Sequence, residues 1–321
     1  DYMRGIKGQN FWITEAIMGA QGHDVIGYLP RPRQAKMWSY QGIAHGCSSL
    51  MYFRYRGATK GAEQYCYGII DQDNVKRRKF YEVQSFFKEM KENEALTQSE
   101  VKSDVAVVYD YESMASFRIQ RQSFLMDYKQ EVYRLYRPFY KKNINMDVIP
   151  SDSDFDKYKV LLLPVMIVHK KEVQDKVRKF VSGGGTVVFT YRTAVKDYYN
   201  NLTLGQFNPT YYTDLVGGYV EEVESFQDDQ VAFLIGNEEF EGINGTATVF
   251  RDMLKTTTAK TLFKYEDEFF EDLAAVTLNE YEGGKVYYIG SGADNTIMDA
   301  ITNKIINESN LDAIESEEGV E

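Results

Sequence analysis

Short apolar runs alternate with amphipathic stretches from the first residues of the chain. Asn10–Thr14 reads as a buried strand that ends on Glu15, and Ser49–Tyr55 (SLMYFRY) reads as a second strand. Between them lies a loop carrying Gly19, Gly22, Gly27, Pro30 and Pro32. It is followed by Gln34–His45, where Ala35, Met37, Trp38, Ile43 and Ala44 recur at roughly helical spacing. That spacing predicts a helix stopped by Gly46, with Trp38 in core packing and His45 as a satisfied structural histidine. Lys79–Asn93 (KFYEVQSFFKEMKEN) predicts a second amphipathic helix. Strand, helix, strand, helix is the order of parallel strands joined by crossovers.

A polar link at Thr97–Lys102 separates this portion from a second one. Asp104–Tyr109 (DVAVVY) opens it as a strand, followed by a helix over Gln130–Asn143 with Val132, Leu135, Tyr136, Phe139 and Tyr140 inward. Met146–Ile149, Val160–Leu163 (VLLL), Val187–Thr190 (VVFT) and Lys285–Ile289 (KVYYI) are further strands, and Lys171–Val181 is a helix between two of them. Near-continuous apolar strands are what a sheet covered on both faces requires, so the expected class is α/β, a doubly wound sheet of the flavodoxin or glutamine-amidotransferase kind. The sequence shows no internal repeat.

Composition narrows the class further. With 321 residues, 43 % hydrophobic and 26 % charged, the chain can bury a real core in more than one domain. No run approaches the roughly 18 apolar residues of a membrane helix, and the opening DYMRGIKGQNFW lacks the basic start and apolar stretch of a signal peptide, so no membrane partner is expected. The net charge of −11 is uneven: residues 1–100 hold 14 Lys+Arg against 11 Asp+Glu, and the rest hold 23 against 37. Such a balance repels phosphate backbones, and nucleic acid is not an expected partner. Two cysteines, Cys47 and Cys66, make no disulfide framework and no zinc cage, which sets a reducing, cytoplasmic location as the default. No metal or other cofactor is expected, because the three histidines are scattered. The start without Met, inside a structured segment, suggests a missing N-terminal portion. The acidic end, 315–321, reads as a solvated tail or the threshold of a further domain.

Several candidate features resolve into structure rather than chemistry. Ser182-Gly183-Gly184-Gly185 follows a helix and precedes a strand, the reverse of a phosphate loop, and reads as a tight turn. A cysteine-nucleophile amidotransferase is disfavoured because the second portion contains no cysteine. Its lone His169 suits a surface or cap role. The triplets at Asn201, Asn244 and Asn307 fit a glycosylation pattern without a secretory context. Glu15 differs, since a lone carboxylate at the C-terminal end of a buried strand is where α/β barrels keep catalytic groups. A loop-capping glutamate is the alternative. Arg54, Arg56 and Glu63, in a Gly-flanked loop, suit either ion pairing or binding.

At this point FWITE, PRPRQAKMWSYQGIAHG and MYFRYRGATKGAEQYCYGIID resemble the C-terminal part of the catalytic (β/α)8 barrel in family 42 glycoside hydrolases, the β-galactosidases. VAVVYDYES, YKVLLLPV, SGGGTVVFTYRTAVKD and GGKVYYIGSG resemble that family's second domain, an amidotransferase-like α/β unit that mediates trimerisation. The resemblance covers nearly the whole chain. It implies residues 1–96 as about strands 7 and 8 of the barrel, residues 101–314 as the trimerisation domain, and a homotrimer. It further implies that Glu15 is the nucleophile of a retaining enzyme acting on terminal β-D-galactosides, with the general acid/base carboxyl preceding this sequence. A piece lacking that acid would be inactive alone. Glu63 matches the family's sugar-binding glutamate, and Phe53, Tyr55 and Cys66 fall at sugar-facing positions. The family usually has Trp where Tyr55 stands and His where Cys66 stands, and its aromatic–Asn–Trp region is hard to align with Gly22-His23-Asp24. These departures keep α-L-arabinopyranosides open as substrates. Arg192, Thr193 and Asp197 match a polar loop for which a surface role and a reach toward a neighbouring subunit are both open. A non-catalytic trimerisation module is the alternative function.

Overall fold

The computed structural model describes residues 1–314 and 316, so the acidic end 315–321 lies, apart from Ser316, outside the described residues. The chain divides into two compact units, Asp1–Lys102 and Ser103–Glu321.

Unit 1 contains helix α1 (Tyr2–Lys7), strand β1 (Phe11–Ile17), α2 (Gln34–Ala44), β2 (Cys47–Phe53), α3 (Arg78–Glu92) and the short α4 (Glu94–Gln98). β1 and β2 pair in parallel, as two strands joined by a helix must. The expected strand boundaries shift in two informative ways. β1 does not stop at Glu15: Ala16 and Ile17 pair with Tyr52 and Phe53, so Thr14 and Glu15 together oppose the single residue Met51 in a bulge. β2 stops before Arg54, because the Arg54 and Tyr55 carbonyls accept instead from Ile69 N and Ile70 N at 2.7 and 2.9 Å.

Nor is β1 buried. It alternates between half-buried and exposed residues, and Trp12 stays 66 % exposed, because β2 is its one partner strand among the described residues. α2 buries Ala35 and Ser39, while Met37 is 58 % exposed and Trp38 37 %, so Trp38 is partly covered rather than a core residue. The hydroxyl of Ser39 explains the inversion: it reaches the Ala35 carbonyl and the Tyr52 hydroxyl at 2.8 and 2.7 Å, so this polar residue takes the inner face. A small core of Met18, Ala35 and Val83, with Tyr52 and Ile69, lies under the helices.

Unit 2 runs β3 (Val105–Val108), α5 (Tyr111–Ile119), α6 (Tyr128–Tyr140), β4 (Met146–Ile149), β5 (Val160–Leu163), α7 (Lys171–Ser182), β6 (Thr186–Thr190), α8 (Thr213–Val216), β7 (Gly218–Ser225), β8 (Ala232–Gly236), β9 (Asn244–Thr256), β10 (Lys260–Tyr265), β11 (Ala274–Tyr281), β12 (Gly284–Ile289), β13 (Ser291–Ala293) and α9 (Asn295–Glu308). The eleven-stranded sheet has the order β13-β9-β8-β10-β11-β12-β6-β5-β3-β4, with β7 on β9. Strands β4, β3, β5, β6 and β12 are parallel, whereas β7 to β11 and β13 add antiparallel pairings. The sheet is therefore mixed rather than purely doubly wound. The antiparallel half mixes polar residues into its strands, as Glu221, Glu222 and Glu224 in β7 and Arg251 and Asp252 in β9, and the apolar-run template does not register it.

Alternate residues of each parallel strand feed two separate cores. Val105, Val107, Val160, Leu162 and Val188 join one, packed by α6 and α9. Ala106, Val108, Leu161, Leu163 and Val187 join the other, packed by α7 and α8. Period-two side chains and two covered faces make the apolar runs necessary. Asp110, Asp127 and Asp294 cap α5, α6 and α9 by accepting backbone N–H bonds. The glycine turn at 183–185 is structural: Gly184 has φ 93°, and a Cβ on Gly185 would lie 2.3 Å from the Phe180 ring.

Candidate active site

Parallel pairing puts the C-terminal ends of β1 and β2 at the same edge of their sheet, and the bulge holds Glu15 near that edge with its side chain exposed. The loops beyond the two strands are tied to each other. Tyr67 N donates to Ala20 O at 3.0 Å, the Gln21 amide donates to Tyr67 O at 2.9 Å, and the Cys66 thiol donates to Gly22 O at 3.4 Å. Gly19 permits this approach, since a Cβ there would sit 2.6 Å from Tyr67 O. Glu63, four residues before Tyr67, therefore belongs to a loop fastened over the end of β1.

Glu63 pairs with the Arg54 guanidinium, which lies 4.4 Å over the Phe53 ring. A half-exposed carboxylate anchored by arginine keeps free acceptor positions for hydroxyl donors. Tyr55 is 62 % exposed and presents a stacking face. Phe53 is half-buried beside Ile17. Cys66, by contrast, is 4 % exposed and spends its thiol on Gly22 O, so the structure gives it a place beneath the loops rather than on their open side. Arg56 reaches Asn74 Oδ1 at 3.3 Å.

Two of the three histidines serve the scaffold, whereas His23 is exposed. His45 caps α2, and its Nδ1 lies 2.8 Å from Asp1 Oδ1; burial, with the nearby N-terminus and Arg4, holds its pKa below the usual range. His169, half-buried with its ring 4.3 Å from that of Tyr211, is held low by burial and Lys171. Among the described residues no cluster of three or more His, Cys, Asp or Glu is placed to hold a metal.

The strand-to-helix turn after β5 in unit 2 carries no nucleophile among the described residues. After β5, where a strand-to-helix turn would expose one, stands Val165, fully buried at φ 41° with its N–H bonded to Thr190 Oγ1 at 2.7 Å. The neighbouring crevice is filled by ions. Lys170 Nζ contacts Asp110 Oδ1, Glu112 Oε2 and Ser151 Oγ at 2.8, 2.7 and 3.0 Å. Burial alone raises the Asp110 pKa, but Lys170, the Ser113 N–H and the Ser151 hydroxyl outweigh it and hold the carboxyl below the usual range. This cluster went unrecognised in the sequence because Asp110, Ser151 and Lys170 follow three different strands. Their one signal is a polar residue within two positions of the end of an apolar run.

Residues 1–93 match the family model described as Beta-galactosidase, and residues 103–312 match that of the Beta-galactosidase trimerisation domain. The chain belongs to glycoside hydrolase family 42. It is 32 % identical over 318 residues to beta-galactosidase BgaA of Clostridium cellulovorans, covering 97 % of this chain and 47 % of that protein. With beta-galactosidase BgaP of Planococcus sp. the identity is 28 %, over 100 % of this chain and 48 % of the relative. Its fold superposes on the crystal structure of beta-galactosidase from Bacillus circulans sp. alkalophilus with a TM-score of 0.90 and 26 % identity, over 98 % of this chain and 47 % of that one. The chain thus spans about half the length of the family 42 relatives it matches.

Proposed function

We propose that this chain is the portion of a family 42 β-galactosidase that carries the nucleophile and the assembly domain. In this reading unit 1 supplies two consecutive strands of a (β/α)8 barrel, and unit 2 is the amidotransferase-like trimerisation domain. Glu15 attacks the anomeric carbon of a terminal β-D-galactoside; the C1–O bond to the aglycone breaks as the glutamyl ester forms. Water then cleaves the ester with net retention, assisted by a second carboxyl acting first as acid and then as base. Glu63, held by Arg54, orients the sugar through its hydroxyls, and Tyr55 stacks on the ring. Family 42 relatives named as β-galactosidases along the whole chain favour this substrate class.

The observation that carries the reading is the bulge that holds Glu15 at the strand edge over which the Glu63 loop is tied. A 2-deoxy-2-fluoro-galactoside with a dinitrophenolate leaving group tests it, because that group departs without protonation and the test addresses Glu15 alone. Mass spectrometry is expected to find a fluorogalactosyl ester on the Glu15 peptide in the native chain and none in Glu15→Gln. An ester on another residue, or no ester in a folded trimer, would leave the trimerisation module as the better description. The same experiment with a 2-fluoro-arabinopyranoside compares the two sugars.

A further inference from the structure

The antiparallel half of unit 2 carries an arginine buried among aromatic rings. Arg251 on β9 stands directly opposite Glu224 on β7 and is 8 % exposed. Its guanidinium carbon lies 5.0, 5.7 and 5.9 Å from the ring centroids of Phe270, Tyr265 and Phe226. Among the described residues the guanidinium makes one hydrogen bond, from Nη1 to Asp267 Oδ2 at 2.9 Å. Nε lies 2.5 Å from Glu224 Oε1 but is not aligned to donate, and that buried N–H is left without an acceptor. A group with five N–H donors therefore keeps most of them after meeting both carboxylates. Arg251 and the Phe269 N–H hold the Asp267 carboxyl below the usual range, so it stays an acceptor.

This arginine forms part of the wall of a cavity of about 390 Å³, which lies wholly in unit 2 and has the size of a small-molecule site. Glu224, Asp229, Glu266, Asp267 and Phe233 line it with Arg251. The backbone N–H of Glu266 donates to the Phe233 carbonyl at 2.9 Å and ties two of the walls together. Phe233 is 55 % exposed, and Phe269, two residues beyond Asp267, is 86 % exposed. The same parts occur together in unit 1, where Arg54 lies over the Phe53 ring, holds Glu63 and neighbours the exposed Tyr55.

The ligand class follows from the charges on the wall. Glu224, Asp229, Glu266 and Asp267 against the single Arg251 repel phosphates, nucleotides and acidic peptides. Among the described residues no three carboxylates converge to hold a metal ion. A cationic amine would meet Arg251 as a like charge. A neutral polyol satisfies both signs at once, since its hydroxyls donate to the carboxylates and their oxygens accept from the guanidinium, while the C–H face of a pyranose packs on a phenyl ring. We infer that this cavity is a second, non-catalytic site for a neutral saccharide, held by Arg251, Glu224 and Asp267 and stacked on Phe233. The choice of a galactoside as that saccharide rests on the proposed function.

Photolabelling of the full chain with a diazirine-bearing alkyl β-D-galactopyranoside, read by peptide mass spectrometry, tests it, because the two units give separate peptides. Label is expected within residues 226–233 or 264–270, displaced by excess β-linked galactobiose and not by putrescine at the same concentration. Phe233→Ala and Glu266→Gln, both at exposed positions, are expected to cut this label about threefold or more and to leave the label on unit 1 unchanged. Label on unit 1 alone overturns the inference and leaves the proposed function intact. Label on unit 2 that putrescine displaces as well as galactobiose does, or that withstands both substitutions, also overturns it. Label on unit 2 with none on unit 1 sustains the inference and counts against the sugar site of unit 1, and no label on either unit overturns both.

Discussion

β1 with β2 in unit 1 and β3 with β5 in unit 2 are both parallel pairs of short, apolar strands, yet they end in opposite environments. Every residue of Val105–Val108 is fully buried, whereas Trp12 and Met51 remain 66 % and 43 % exposed. Strand propensity does not explain the difference; coverage does. β3 and β5 lie inside an eleven-stranded sheet with helices against both faces, while β1 and β2 form a sheet of two. The functional carboxylates follow the same division. Glu15 and Glu63 sit where backbone and loops leave side chains open, and the carboxylate of Asp110 is sealed in by Lys170, Ser113 and Ser151. Asp110 is thus held by its partners, whereas the carboxylate of Glu15 is exposed at its strand end and that of Glu63, though paired with Arg54, stays half exposed.

The largest test of this contrast compares the two ion pairs. Asp110→Ala leaves Lys170 with the half-exposed Glu112 carboxylate and the Ser151 hydroxyl, and unit 2 is expected to lose about 3 kcal/mol, since a poorly compensated buried charge costs several. Glu63→Gln breaks a pair whose carboxylate side is 47 % exposed, and unit 1 is expected to lose less than about 1 kcal/mol while sugar binding suffers. Hydrogen exchange resolved by peptide reads each unit separately, which a single melting curve of a two-unit chain does not. Equal losses would show that burial does not separate the two pairs. A test of similar size uses apolar truncations. Leu162→Ala in β5 is expected to cost about 2–5 kcal/mol, and Trp12→Ala in β1 about 0.5 kcal/mol or less, on the same readout.

How much of this was legible in the sequence follows from the same physics. Met146–Ile149 and Val160–Leu163 are found where the apolar runs place them, because strands sandwiched between helices tolerate little else. α7 and α3 fall within a residue of their expected limits, since a one-sided helix writes its buried face into a 3.6 period. β7 to β11 escaped notice because their strands mix polar and apolar residues, as Glu221, Glu222 and Glu224 do in β7 and Arg251 and Asp252 in β9. In α2 the period misled: Ser39 displaced Trp38 from the inner face through two hydrogen bonds that no hydrophobicity pattern records. Glu15 was visible as a carboxylate near a strand end. The bulge that aims it was not, because it depends on the register between β1 and β2, a long-range property.

The smallest expected effect is a difference of sign between two carboxylates. Glu89, on the surface of α3, is pulled down to about 2 by Lys36, Tyr40 and Ser85, which all donate to it. Because its folded pKa is depressed, its contribution is present above the ordinary glutamate range and is lost as the pH falls through about 2. Asp252 is fully buried, and burial raises its pKa despite Arg192 and the Tyr288 hydroxyl. A raised carboxyl contributes in the opposite direction: its stabilisation is complete below the ordinary aspartate range and is lost as the pH rises through the folded value. Exchange protection, corrected for the intrinsic rate, should therefore fall in α2–α3 between pH 5 and 2.5 in the native chain but not in Glu89→Gln. Over β9 and β12, the native chain should gain on Asp252→Asn as the pH drops from 7 to 4. An Asp252→Asn profile parallel to the native one would mean that the buried carboxyl does not titrate in this window, and that the two units differ in coverage but not in the sign of their response to acid.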